Sequence, residues 1–315
     1  MKKLFFVLMA LSLLLVACGA GAGADAEPTA IPMSTAVPTA VVVENEAAEA
    51  VAEDTQAGTE RVSPVDGMVQ IFVPAGSFRM GALDAKAAAD EKPDRQVTMS
   101  AFWMDKHEVT NAMFLICVQA GACEPPDEFK SEKHDTYFNT DEFADFPVIY
   151  VTWGNAVDYC SWAGKRLPTE AEWERTARGD DFRNFPWGDD RPDSSHANYN
   201  NSIRDITRVG SFPAGASPFG ALDMAGNVWE WVSDFYDAVY YSNSVATNPT
   251  GPLSSVGPGY RHTIRGGSYQ DVEKEIRVSS RGYAIGPDPD ASDMDSIAYL
   301  GESSPKIGFR CAADN

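Results

Sequence analysis

The sequence predicts a domain of short helices and short strands dominated by turns and irregular segments. Glycine and proline make the first case: 25 Gly and 20 Pro among 315 residues leave little room for long helices. Helical periodicity behind a capping residue is the second observation, and it occurs only in short stretches that end by Gly179. Beyond Gly179, brief apolar runs interrupted by turn residues make the third, the texture of short strands and loops. The length suffices for one large domain or two small ones with a buried core.

In chain order, Lys2 and Lys3 precede the apolar run Leu4–Val16, which is too short for a spanning helix. It ends Leu15-Val16-Ala17-Cys18-Gly19, which is similar to a bacterial lipobox. That pattern predicts a signal peptide over 1–17 and lipidation at Cys18, with two or more acyl chains holding the protein on the extracytoplasmic face of a membrane. The next stretch, 18–62, has no aromatics; Pro28, Pro32 and Pro38 break its first half and Glu44, Glu46, Glu49, Glu53 and Asp54 charge its second. Such a composition buries too little apolar area to offset its ordering entropy, so it reads as a disordered tether. A flexible chain of this length spans on the order of 35–40 Å.

The domain proper is read as 63–315. Met68–Val73 is a strand stopped by Pro74, and Gln96–Asp105 is read as another. Thr110 caps a helix through Val118, and Thr152 caps a second over Trp153–Ala163, with Ala156, Tyr159, Cys160 and Ala163 on one face. Thr169 with Glu172 forms a capping box that starts a third, Glu170–Arg178.

Charge narrows the partners. The net charge of -21 repels nucleic acid and anionic membrane surfaces and suits cations. Outside the lipobox the cysteines are Cys117, Cys123, Cys160 and Cys311, which in an oxidising compartment read as two disulfides in any of three pairings. The four histidines, His107, His134, His196 and His262, show no metal-ligand spacing.

Several strings go beyond composition. Phe78-Arg79-Met80-Gly81 leads to Met104-Asp105-Lys106-His107-Glu108-Val109-Thr110-Asn111, then to Gly164-Lys165-Arg166-Leu167-Pro168-Thr169-Glu170-Ala171-Glu172-Trp173. After these come Gly220-Ala221-Leu222-Asp223-Met224-Ala225-Gly226-Asn227-Val228-Trp229-Glu230-Trp231, then Arg265-Gly266-Gly267-Ser268 and Gly308-Phe309-Arg310-Cys311-Ala312. In this order they resemble the formylglycine-generating enzymes, or sulfatase-modifying factors, over roughly residues 65–313.

The resemblance implies an α+β fold with little regular structure, related to C-type lectins. It implies structural calcium: Asp223 and Glu230 as side-chain ligands with the Gly226 and Val228 carbonyls, and a second site that starts at Asn198 and the Tyr199 carbonyl, with Asn201 or Asp205 to complete it. Hard oxygens converging on a glycine-rich turn are what calcium needs. It pairs Cys160 with Cys311. Cys117 and Cys123, separated by a segment containing Gly121, read as a local bridge rather than a redox pair, since no nearby His or Arg favours a thiolate. Positions of a second family disulfide fall near Ala177 and Val278.

The family's oxidases hold copper(I) through two cysteines after the Gly-Gly-Ser string, because copper(I) needs soft thiolates. Between Ser268 and Arg281 there is no cysteine, and Asp271 occupies the first expected position. The sequence therefore leads to four expectations: the chain lacks the catalytic cysteine pair, copper is unlikely, no catalytic residue is assigned, and the domain is a non-oxidase binding or scaffold module for a peptide or glycan. Ser268 is read as a turn residue, and Asp271, Glu273 and Glu275 as a possible binding rim. The alternative is oxidase-type conversion of a substrate cysteine to formylglycine.

Overall fold

The computed structural model describes residues 55–85, 87–257, 259–288 and 301–315. The predicted signal peptide, Cys18 and residues 18–54 of the tether lie outside the described residues. The described chain falls within the unit Glu46–Asn315.

Two four-stranded sheets and a hairpin carry the architecture. The first sheet contains β1 (Glu60–Val62), β2 (Val69–Val73), β5 (Phe102–Asp105) and β10 (Ala312–Asp314) in the order β1-β2-β5-β10, all antiparallel. β1 takes up the last residues of the segment read as tether, pairing Glu60 with Ile71. β3 (Gly76–Met80) and β4 (Arg95–Met99) form the hairpin. The second sheet runs β8 (Arg281–Ile285), β7 (Arg261–Arg265), β6 (Trp229–Phe235), β9 (Ile307–Phe309), with β6 and β9 parallel. The stretch Gln96–Asp105 is thus two strands in different sheets. The chain breaks at Ser100, whose N–H donates to Asn248 Oδ1 at 2.8 Å, a partner 148 residues away.

The helices form where local capping dictates. Asn111–Gln119 (α1), Trp153–Trp162 (α2) and Glu170–Arg178 (α3) begin at Thr110, Thr152 and Thr169, whose side chains accept from Met113, Asn155 and Glu172 N–H. α2 packs Ala156, Tyr159, Cys160 and Ala163 into the largest cluster beside Phe114, Trp231 and Phe309. Every residue of α3 is buried, charged ones included. That is tolerable only because the charges are paired. Arg281 makes two bonds to Glu170, and Arg265 and Arg178 meet Glu174. α3 therefore ties β7 and β8 to the rest of the molecule.

Cys117 is joined to Cys123, and Cys160 to Cys311. Ala177 and Val278, where the resemblance places a second family disulfide, pack in one apolar cluster instead.

Candidate functional site

The Gly266-Gly267-Ser268 turn leaves β7 in a conformation only glycine adopts cheaply. Gly267 has φ +74°, and a Cβ there would sit 2.9 Å from the Glu275 carbonyl and 2.8 Å from Ile276. The turn delivers Ser268, fully buried, onto Asp271. One oxygen of Asp271 accepts from the Ser268 N–H at 2.9 Å, from the Ser268 hydroxyl, and from Trp229 Nε1 at 2.9 Å. Backbone bonds stitch this turn to its surroundings: Asn200 N–H donates to the Asp271 carbonyl, Asn201 N–H to that of Tyr269, and Tyr269 N–H to that of Asn227. Ser268, Asp271 and Trp229 thus form one fixed polar constellation, with Asp271 half-buried.

Beside it opens a cleft of about 810 Å³ lined by Phe185, Arg191, Tyr199, Asn200, Glu273 and Arg277, among others. The structure does not gather Asp271, Glu273 and Glu275 into one rim. Asp271 faces Ser268 and Trp229, Glu273 pairs with the exposed Arg191 at 2.9 Å, and Glu275 pairs with Lys274 at 2.8 Å.

Three of the residues implied for calcium, Asp223, Gly226 and Val228, surround Asn227 in the chain. Asp223, Gly226 and Asn227 have positive φ; a Cβ on Gly226 would meet the Asn198 carbonyl at 2.3 Å. Asp223 accepts from the Gly210 N–H at 2.5 Å. Val228 follows and is fully buried. Glu230, at the start of β6, is committed elsewhere: Arg310 Nε and Nη2 each reach it at 2.7 Å and Trp173 Nε1 at 2.8 Å. Both its oxygens accept hydrogen bonds in this arrangement.

Glu108 is a buried carboxylate that no sequence pattern singles out. It is fully buried, takes Asn227 Nδ2 at 2.9 Å on one oxygen, and has no hydrogen-bond partner on the other. Burial, then the neighbouring Asp223 and Glu230 charges, push the Glu108 carboxyl well above its ordinary range. Burial likewise raises Asp223 and lowers His107.

At the second implied site, Asn198 Nδ2 donates to the Asp205 carbonyl at 2.8 Å, while its Oδ1 is buried and without a partner. That free oxygen fits a cation ligand. The Tyr199 carbonyl accepts from Ser202 N–H, Asn201 has positive φ, and Asp205 accepts from Ser131, Lys133 and Ile206. Among the described residues, no three His, Cys, Asp or Glu side chains are placed to hold a metal. Either site would therefore need carbonyl or amide oxygens beside its carboxylates.

The expectation that the chain lacks a cysteine pair is corrected here. Cys160 and Cys311, 151 residues apart in sequence, are retained as a spatial pair with Sγ atoms 2.01 Å apart, both fully buried. Inspection of the segment after Gly267 cannot reveal a pair that the topology makes, by laying α2 against the link between β9 and β10. In the disulfide state neither sulfur is a thiolate, so the pair as it stands does not fit copper(I).

Comparisons with known proteins follow the same lines. Residues 53–315 match the sulfatase-modifying factor enzyme 1-like domain. The formylglycine-generating enzyme of Bos taurus is 34% identical over 307 residues, covering 81% of this chain and 76% of that one. That of Streptomyces coelicolor is 31% identical, covering 78% and 89%. The serine/threonine-protein kinase Pkn1 of Chlamydia trachomatis is 33% identical over 78% of this chain, which spans only 38% of the kinase's length. Among solved structures, PvdO from Pseudomonas aeruginosa superposes with a TM-score of 0.65 at 25% identity, covering 83% of this chain and all of that one. CarF gives 0.57 at 18% identity, covering 81% and 100%, a likeness of fold alone. With its α+β architecture and this match across most of its length, the chain belongs to the FGE-sulfatase family of sulfatase-modifying factor enzyme 1-like domains.

Proposed function

We propose that the domain carries out oxidase-type modification of a cysteine in a substrate protein, the activity for which its formylglycine-generating relatives are named. One observation carries the reading: identity of 34% to such an enzyme across about three-quarters of both chains. The balanced step takes –CH2SH, dioxygen, two electrons and two protons to –CHO, hydrogen sulfide and water, with a thiol reductant as electron source. In the family, copper(I) held by thiolates supplies oxygen activation. Here the chain's own contribution is the cleft beside Asp271, whose paired charges and aromatic rings would seat and orient a peptide.

A second reading is a binding or scaffold module for a peptide or glycan, in keeping with the implied kinship to C-type lectins. It is favoured by Asp271, which stands where the resemblance expects the first thiol and is a carboxylate fixed by Ser268 and Trp229. Either reading places the domain in the cell envelope, displayed by the tether and a lipid anchor at Cys18. Two disulfides support an oxidising compartment.

Oxygen uptake by the full chain, with copper(I), reductant and a Cys-x-Pro-x-Arg peptide, tests the first reading. Uptake is expected with this peptide and not with its serine analogue. Binding of both peptides with equal affinity and no uptake would leave the second reading standing in its place.

A further inference from the structure

We propose that the loop 238–260 rests on the bilayer that anchors the chain, with Leu253 and Val256 entering the interfacial layer of neutral lipid; this rests on the lipid anchor read at Cys18. Charge is the first reason. Residues 238–260 contain no Asp, Glu, Lys, Arg or His, the longest such run in the sequence, although 23% of the chain is charged and its net charge is -21. A surface dense in carboxylates is repelled by anionic lipid and gives up hydration at a high cost against neutral lipid. This run meets neither obstacle. Exposure is the second reason. Leu253 is 100% exposed, and Val239, Val245 and Val256 are 60%, 62% and 51% exposed. A single exposed aliphatic is ordinary on a protein surface, but four on one uncharged run mark a surface that something covers. Leu253 also lines, with Phe235 and Tyr260, a shallow hollow of about 350 Å³.

The place where the chain enters the domain is the third and independent reason, and it selects the bilayer over other apolar partners. Gly58, just after the tether, donates its N–H to the Phe72 carbonyl at 2.9 Å. The Phe72 and Trp103 ring centroids are 5.2 Å apart, and Ala101 packs against that pair. Beside Ala101, Ser100 is held to Asn248 by two bonds, its N–H to Oδ1 at 2.8 Å and Asn248 Nδ2 to its Oγ at 2.9 Å. A short series of contacts therefore joins the tether's entry to the middle of the loop, so the side of the domain that the anchor holds is the side that carries the loop. Read as a flexible tether, 18–54 keeps that side within about 35–40 Å of the membrane. At such range the effective concentration is on the order of millimolar, and a few apolar side chains suffice for contact.

The test uses the full lipidated chain on phosphatidylcholine vesicles that carry a lipid spin-labelled at headgroup depth. One fluorophore is attached at Leu253→Cys or, as the control, at the exposed Glu142→Cys. Quenching by the spin label is expected to be roughly threefold stronger at 253 than at 142, and to fall to the control level when Val256→Asp is added. Flotation with the vesicles reports the anchor separately. A chain that floats yet is quenched equally at both positions overturns the loop's role and leaves the anchor intact, whereas a chain that does not float removes both. Quenching at 253 that Val256→Asp leaves unchanged would overturn the proposal as well. So would a fluorophore at 253 shielded from water without lipid quenching, with a doubled mass in light scattering, because a second copy of the chain would then cover the loop.

Discussion

At the scale of single residues, the site rests on positions that admit one side chain or none. Gly267→Ala would drive a Cβ into the Glu275 carbonyl and Ile276 at positive φ, and neither the backbone nor a buried isoleucine can retreat. A loss of about 2–4 kcal/mol in denaturant unfolding is expected, with displacement of Ser268 from Asp271. His262 gives a pH signature. Fully enclosed and stacked on Trp153 at 4.0 Å, it is pushed down by burial to about 4. Its folded value lies below its ordinary one near 6.5, so its contribution is complete above that pH. As pH falls from there toward 4 the unfolded chain gains a proton that the folded one refuses, and stability is lost. The full span corresponds to about 3 kcal/mol. Unfolding free energies of wild type and His262→Phe from pH 7 to 4 should converge as the pH drops; parallel curves would contradict this.

At the scale of elements, the closing string Gly308-Phe309-Arg310-Cys311-Ala312 shows how much one short segment holds. Gly308 leaves no room for a Cβ, which would meet the Val148 carbonyl at 2.7 Å. Phe309 fills the main cluster, Arg310 clamps Glu230, Cys311 bonds Cys160, and Ala312 starts β10. Replacing both Cys160 and Cys311 by serine opens a loop of 151 residues and is expected to cost up to about 5 kcal/mol, read as a fall in the denaturant midpoint. Helices were legible in the sequence because their signals are local: Thr110, Thr152 and Thr169 each satisfy an N–H three residues on. The run Gln96–Asp105 was not, since its break at Ser100 has no Gly or Pro and is made by Asn248 from afar. The turn around Asp223 was legible as glycine-rich. That Arg310 reaches Glu230 follows the parallel pairing of β6 and β9, which no local pattern encodes.

At the scale of the whole molecule, buried charge is the recurring device. α3 is enclosed with its five ionic side chains, and Lys165, whose side chain is 2% exposed, bridges Asp66 and Asp105 at 2.8 and 2.9 Å next to the Cys311 backbone. Removing one partner of such a set leaves an uncompensated ion, so Lys165→Met is expected to cost about 3–5 kcal/mol, measured by chemical unfolding. The most direct test is the intact mass of a Cys-x-Pro-x-Arg peptide after incubation with the full chain, copper(I), oxygen and reductant. The account predicts replacement of the cysteine thiol by an aldehyde that a hydroxylamine probe captures. A peptide recovered with its thiol unchanged under all these conditions would contradict it.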